Sequence, residues 1–465
     1  MEKNTKRILA IVLIAVVGVG TGVGIWIFVA PYPWSAEDCP GAPSNIAADQ
    51  IIKIGVLGGI YDIQGRGALE GAKLAAYQIN DAGGIVVGGK RYYVGITAED
   101  TDESNPNLDT TKGVAAAERI INYKQCQYLT GGFRTESLSV YLETVVAAKK
   151  LFIGTGASTD TFCQNVLDNY AKYKYFFRNM PINSSSLAFE IFNFLITYAG
   201  YLSNFAGFNI TKFGILHEDL DWTEALVAAL EYYLPLLGGI YLPEGAEVVA
   251  KVAYPITALQ TDMDGYMATI DTNNTQILIP VISAQGGILM MNSYAANDGY
   301  GFVVIGIDVQ SQLDTFWGDS SQACLYETIL QSLHNTSKTP ISVPFWNAYV
   351  AEYNKDPLYT AVGSFDAINL IVHAINESQS FSTNTLISEI EKINKSNTFP
   401  GAGGYAAFTP SHDIQEGYPY GYTLFVQWQT GGTKVVVPSF GSIYPPAVET
   451  GSYMLPAYPG WAFNP

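Results

Sequence analysis

The sequence predicts an α/β protein built from two similar doubly wound, Rossmann-like lobes, and three observations predict it. Residues 52–80, IKIGVLGGIYDIQGRGALEGAKLAAYQIN, join a buried strand, a glycine-rich turn and an amphipathic helix without a spacer. Strand and helix patterns then alternate along most of the chain, as parallel βαβ units require. A Pro-containing break, RNMPINSSS at 178–186, divides the alternation into two successive series.

In the first unit, Ile52, Ile54, Val56 and Leu57 form the apolar run of a strand covered on both faces. Ala68, Ala72, Ala75, Ala76 and Ile79 fall at helical spacing, with Glu70 and Lys73 turned to water. The turn between them is not a nucleotide loop, because Glu70 stands where a third glycine would follow Gly65 and Gly67, and no phosphate-loop pattern occurs. It suits a small polar ligand, with Gln64 as the candidate side chain, or plain tight packing. The pattern continues as strand 93–98, helix 109–123, a strand at 128, helix 137–148 with the stripe Leu138, Tyr141, Leu142, Val145 and Val146, and strand 151–154. After the break come helix 187–201, strand 213–216, helix 221–234, strands 248–253 and 277–282, helix 287–297 and strand 302–307. The last third holds helices 346–353, 365–375 and 386–393 and a hairpin, 422–428 with 435–438, around Thr430, Gly431 and Gly432. From 441 the composition shifts to Pro, Tyr, Gly and Ser, a tail that wraps a lobe or stays extended.

A length of 465 residues allows about three domain-sized units, or two lobes with appendages. The net charge of -18 argues against nucleic acid as a partner and against docking on anionic lipid. Lys3, Lys6 and Arg7 precede an apolar segment at 8–30, long enough to cross a bilayer of about 30 Å as a helix. The expected arrangement is a cytoplasmic stub at 1–7, a single-pass transmembrane helix at 8–30, a linker at 31–50 and the bulk of the chain outside the cell. Trp26, Ile27 and Phe28 at its exit favour a retained anchor over a cleaved signal, which remains the alternative. In that compartment the four cysteines are expected in disulfides, Cys126 with Cys163 first, and Cys324 either paired with Cys39 or free. Asn183, Asn209, Asn273, Asn335, Asn376 and Asn394 are compatible with glycosylation.

Read in order, IKIGVLGGI, GALEGAKLAAYQINDAGGI, ITAEDTDESNP, GVAAAERII, LTGGFRTESLSV and LFIGTGAST resemble the first lobe of the branched-chain amino acid and amide binding proteins of ABC transporters. Those are leucine-binding-protein-like type I periplasmic binding proteins. The resemblance runs on through YFFRNMP, KFGILHEDLDWTEAL, QTDMDGYMATI and VGSFDAINLIVHAI and covers most of residues 51–440. It implies two lobes joined by three crossovers, closing over a small polar solute, most simply an amino acid, and delivering it to a membrane permease. The implied lobes are 51–178 with about 312–385, and 179–311 with about 386–440, leaving 441–465 as the tail.

Three groups of loops qualify as a site, at the strand ends where α/β sheets place ligands. In GGFRTES, 131–137, Ser137 stands where a helix begins, so its hydroxyl and the free N–H groups suit an anion such as an α-carboxylate, unless Ser137 is a plain N-cap. The resemblance implies that Ser137 is a ligand residue, with Thr135 in the same loop. Arg134 and Glu136 depart from the small polar residues usual there and allow a ligand with additional charge. In TGAST, 155–159, Gly156 allows close approach while Ser158 and Thr159 offer hydroxyls, or the segment only caps the next helix. The resemblance implies that Ala157, through its carbonyl, and Ser158 hold the ligand's polar ends. In the second lobe the resemblance makes Trp222 an aromatic packed on the ligand, though Ala225, Leu226, Ala229 and Leu230 share its face and make it equally a core residue. Gln285 follows a strand end, and Asp308 matches the family's acidic receiver of the ligand ammonium, or simply caps the next segment.

Enzymatic signatures are missing from the sequence. No GxSxG elbow occurs, and His217, His334, His373 and His412 are scattered without metal spacing. The acidic run Glu99, Asp100, Asp102 and Glu103 lacks the glycine and distal Glu of a calcium loop and reads as a solvated loop. The expectation is a non-enzymatic, cofactor-free solute receptor of an ABC importer. The alternatives are a sensor working through a membrane partner, and a structural surface protein with a degenerate cleft.

Overall fold

The computed structural model describes residues 31–203, 208–242, 244–283 and 285–457, together with the strands Leu13–Val16 and Ile25–Phe28. Two sheets organise it. The first takes β1 (Ile51–Gly58), β2 (Ile85–Val87), β3 (Lys90–Asp100), β4 (Tyr128–Gly131), β5 (Leu151–Gly154) and β6 (Phe176–Arg178) in the order β2-β3-β1-β4-β5-β6. All its pairs are parallel except β2 with β3. Ile54, Val56 and Leu57 are fully buried, as a central strand with helices on both faces demands. The second sheet takes β7 (Lys212–Glu218), β8 (Glu247–Tyr254), β9 (Ile277–Ile282), β10 (Val303–Asp308), β11 (Thr328–Gln331), β12 (Leu424–Gln429) and β13 (Thr433–Val436) in the order β8-β7-β9-β10-β11-β12-β13. Its first five strands are parallel, and the hairpin β12–β13 closes one edge antiparallel.

Among the helices, α1 (Ile63–Asp81), α2 (Thr110–Glu118) and α3 (Thr135–Ala147) cover the first sheet, while α4 (Ser184–Tyr201) and α5 (Asp221–Tyr241) pack together on the second. The chain crosses between lobes three times: from β6 into α4, from β11 to the helix Ser342–Tyr353, and from the helix Thr383–Ile390 back to β12. The middle return brings α6 (Tyr359–Ser378) against α1. A Cβ on Gly71 would stand 2.0 Å from the Ala361 carbonyl oxygen, so these two helices meet backbone to backbone. Tyr349 adds a hydroxyl that donates to Glu70 at 2.6 Å.

Several elements escape the sequence patterns. β2, β6 and β11 are too short for a two-residue period to stand out, while the helices Thr161–Asp168 and Gln260–Thr272 carry narrow apolar stripes, Phe162, Cys163 and Val166 in one and Met263, Met267 and Ile270 in the other, among otherwise polar residues. The segment 31–50 is no free linker. Trp34 is buried and donates to the Lys124 carbonyl at 2.6 Å, and Asn80 donates to the Pro40 carbonyl at 2.8 Å, strapping the segment to the first lobe.

Within 8–30, the described residues form two antiparallel strands, Leu13–Val16 and Ile25–Phe28, in place of the expected single helix. Gly18, Gly20, Gly22 and Gly24 separate them in sequence, and glycine is a poor helix former. The remainder of 8–30 and the stub at 1–7 lie outside the described residues. No helix among the described residues is long and apolar enough to cross a membrane.

All four cysteines are free and buried, so the expected disulfides are absent. Cys126 precedes β4 and Cys163 follows β5, which places them at opposite ends of two parallel strands. Burial holds the Cys39 and Cys126 thiols up at about 12. Of the sequon asparagines, Asn183 is engaged in the fold, its side chain donating to Asp413 at 3.0 Å and capping α4, while the other five are exposed. The tail wraps the second lobe as far as it is described. Tyr444 and Val448 are buried, and the Met454 carbonyl accepts from Gln427 at 2.8 Å.

Candidate functional site

The carboxyl ends of both sheets face one cleft, where a strand stops and its carbonyls and the next helix's N–H groups become free. A cavity there holds about 720 Å³ of atom-free space, part of it open to solvent. The first lobe contributes Glu103 and Ser104 after β3, Phe133 and Arg134 after β4, and Gly156 and Ser158 after β5. The second contributes Leu220 and Trp222 after β7, Ile256 after β8 and Ser283 after β9, with Ile307, Val309, Leu330 and Ser332 from the ends of β10 and β11. Ile182 and Leu187 from the first crossover and Tyr359 from α6 close the wall.

Hydrogen bonds among the described residues tie the lobes together, and those of Gln64 and Glu136 cross this cleft. Gln64 in the first turn of α1 donates to the Ser283 carbonyl at 2.9 Å, and the Asp221 N–H at the start of α5 donates to Glu136 at 3.2 Å. Gln64 and Glu136, two of the candidates, thus span the lobes rather than line the cavity.

Arg134, Gly156, Ser158 and Trp222 do line the cavity, as their loops suggest. Trp222 is buried at 8% exposure and donates its indole N–H to Glu218 at 3.2 Å, so it is core on one face and cavity wall on the other. The guanidinium of Arg134 is engaged, with Nε donating to Glu136 at 3.2 Å and a terminal N–H to the Asn105 carbonyl at 3.0 Å.

Other candidates lie elsewhere. Ser137 is not the N-cap of α3, which is Arg134; its buried hydroxyl turns behind the loop toward α2, where a Cβ on Gly113 would stand 2.8 Å from it. Thr135 is buried in the same turn without reaching the cavity. Ala157 and Thr159 turn their carbonyls, with that of Ser158, onto the Arg178 guanidinium at 3.3, 2.9 and 2.9 Å respectively, so the backbone expected to hold a ligand is already engaged. Gln285 gives its N–H to Glu218 at 3.3 Å and its carbonyl to Tyr254 at 2.6 Å, and it does not line the cavity.

Asp308 is displaced by strand geometry. Neighbouring side chains on a strand point to opposite faces. Ile307 and Val309 face the cavity, and Asp308 between them lies against Gly287, where a Cβ would fall 2.0 Å from its carboxyl oxygen. Burial raises Asp308 to about 7, and it shares its surroundings with Glu327, which burial and the Asp308 charge hold well above the usual carboxylate range.

The sequence reading missed two groups that shape this site. Glu103, assigned to a solvated loop, is fully buried on the cavity wall. It accepts the Phe133 N–H at 3.1 Å, and burial pushes it up to about 8. The second group is Arg178 with Asp413, an ion pair between the end of β6 and the third crossover, with Arg178 Nε donating to the carboxylate at 2.8 Å. An acidic residue three positions beyond a strand end was the available signal for Glu103, but exposed loops carry the same pattern.

These buried carboxyls make a pH dependence. Glu103, Asp308, Glu190 and Asp366 rest at about 8, 7, 7 and 6, and burial also raises Glu327 and Glu416. Unfolded carboxyls titrate near about 4. Between about pH 5 and 7 the folded chain therefore keeps protons that the unfolded chain has released, and stability falls as pH rises. His334, held down to about 3, and His217 and His412, which burial also lowers, oppose this below about pH 6.5 but are outnumbered by the raised carboxyls, while Lys338, held down to about 7, and the lowered Lys150 and Lys434 oppose it above neutral pH. Melting of the ligand-free protein should show a Tm that declines from pH 5 to 7; a constant or rising Tm rejects this account.

A family model described as periplasmic binding protein matches residues 51–432. No curated protein sequence matches the chain. Solved structures with a similar fold include the branched-chain amino acid transporter substrate binding protein LivJ from Streptococcus pneumoniae in complex with isoleucine, at 15% identity and a TM-score of 0.63 over 83% of this chain and 97% of that one. The leucine binding protein LivK from Thermotoga maritima matches at 16% and 0.64, covering 82% and 97%. A solute binding protein of an ABC transporter from Rhodopseudomonas palustris, in complex with 3,4-dihydroxy benzoic acid, matches at 18% and 0.64, covering 82% and 94%. At these identities the likeness is one of fold.

Proposed function

We propose that this chain, which belongs to the periplasmic binding protein family, is an extracytoplasmic solute receptor of an ABC importer that captures a small, largely apolar solute between its two lobes. The observation that carries this reading is the cavity itself, whose walls come from the strand ends of both sheets and whose lobes are linked by Gln64 and Glu136. A solute held there touches both lobes at once, so its binding free energy favours closure. An amino acid, as first expected, is one class within this reading; the amino acid and benzoate complexes among the similar structures support a small organic ligand.

In this reading the lobe limits are those given by the resemblance, with β11 and the described part of the tail belonging to the second lobe. The basic residues Lys3, Lys6 and Arg7 and the apolar segment 8–30 hold the receptor at the membrane beside its permease. Binding, without turnover, is its role.

Thermal unfolding of the full chain with a panel of amino acids, amides, aromatic acids and amines tests the proposal. A ligand at a hundredfold its Kd adds about 2.7 kcal/mol of stability. No shift with any class, and no solute retained through purification, rejects the receptor reading. The cross-lobe bonds give a second test. Gln64→Ala and Glu136→Ala each remove about 1 kcal/mol from the closed form, so each variant should bind the active panel member about fivefold more weakly and scatter X-rays as a more open particle. Unchanged affinity and radius would remove these bonds from closure.

A further inference from the structure

We infer that the cleft is built for an apolar amine, a ligand with a positive charge and no carboxylate; the inference rests on the receptor reading and narrows its ligand class. The first observation concerns the turn after β4, whose free N–H groups are the natural seat for a ligand carboxylate. Glu103 already fills that seat. Its carboxyl accepts from Phe133 at 3.1 Å and also receives the Arg134 and Gly59 N–H groups. An α-carboxylate arriving there would find the Phe133 N–H already taken by a protein carboxyl, and would have to displace it in a water-poor site.

The second observation is the missing counter-charge. Arg134 is the one basic residue among the described residues lining the cavity, and its guanidinium is committed to Glu136 and the Asn105 carbonyl. The carbonyls of 157–159 are committed to Arg178. A zwitterion therefore finds neither of the two seats that the loops offered in sequence.

Acceptors for a cation remain on both walls. Glu103 is fully buried, and one of its carboxyl oxygens has no hydrogen-bond partner; the neighbouring Ser104 hydroxyl is likewise unpartnered. Across the cavity, Trp222 Nε1 and Ser283 Oγ donate to the buried Glu218 at 3.2 and 2.6 Å, which draws negative charge close behind the second wall. Phe133, Ile182, Leu187, Trp222, Ile307 and Tyr359 supply the apolar surface for the rest of the ligand. An ammonium beside Glu103 gives a partner to the one carboxyl oxygen that lacks a hydrogen bond, and such charge-assisted bonds are among the strongest available to a binding site.

The test compares ligands that differ only in the charged group. The full chain is titrated calorimetrically at pH 7 with 2-phenylethylamine, phenylalanine and 3-phenylpropionate, and with 3-methylbutylamine, leucine and 4-methylpentanoate. The expected result is that one or both amines bind at least tenfold more tightly than the matching amino acid, that the acids do not bind, and that Glu103→Gln lowers amine affinity at least tenfold. Tighter binding of an amino acid or an acid overturns the inference and leaves the receptor reading standing. Amine binding that survives Glu103→Gln in a folded variant also overturns it. Binding by none of the six overturns the inference, and the receptor reading falls with it only if mass spectrometry of the purified chain finds no retained solute. If Glu103→Gln does not fold, the comparison of matched ligands on the unaltered chain decides alone.

Discussion

Replacing Asp413 with alanine is expected to lower stability by about 3–5 kcal/mol, the usual cost of leaving one member of a buried ion pair without its partner. The Arg178 side chain is completely buried, and Asp413 receives its Nε at 2.8 Å and a second, charge-assisted bond from a terminal N–H. Asp413 also accepts from Asn183 at 3.0 Å and from the Ile414 N–H at 3.0 Å, so its loss disturbs the first crossover as well. A local function is at stake too. The free arm of Arg178 gathers three successive carbonyls of 157–159, the loop that sets Gly156 and Ser158 on the cavity wall. Denaturant titration should give a midpoint shift with an unchanged slope, and folded Asp413→Ala should bind solute more weakly than the parent chain. A loss under about 1 kcal/mol would show that the pair is solvated in solution and would withdraw it as the clamp of this loop.

Trp222→Ala is expected to weaken the binding of the active solute by at least about 2 kcal/mol, or roughly thirtyfold, as truncation of a central buried aromatic does. The indole forms part of the apolar wall and, through its N–H, holds the Glu218 carboxyl beside Ser283. Trp222→Phe separates these roles. It keeps most of the apolar contact and loses the donor, so its affinity should fall between those of the parent and the alanine variant. Folding stability is measured alongside by thermal melting of the ligand-free proteins, since a buried tryptophan also contributes to the core. Full affinity in a folded Trp222→Ala would place the ligand away from the second lobe.

The loops resemble those of amino acid receptors in residue type, and the local chemistry departs from that resemblance. TGAST has the expected residues, yet its carbonyls face Arg178. GGFRTES precedes the expected helix, yet its N–H donors face Glu103. In both cases a residue distant in sequence, or one assigned to a neighbouring loop, reaches the group first. The expectation for Asp308 failed for a different reason: the loop pattern locates a strand end to within a residue, while a one-residue step reverses the face to which a side chain points.

The sequence by itself determined the alternating α/β order, the division near 178–186 into two series and the strand-end loops that form the cleft. Those features follow from local periodicity and turn chemistry, which each segment carries without reference to the rest. The tertiary structure alone decided that the helix Tyr359–Ser378 returns to pack on the first lobe, that the four cysteines stay apart, and that Glu103 and Arg178 occupy the polar groups expected to hold a ligand. These outcomes depend on contacts between residues far apart in the chain. Whether a buried carboxyl or a free N–H meets a ligand or another part of the protein is set by which segments the fold brings together, and no local pattern records that choice.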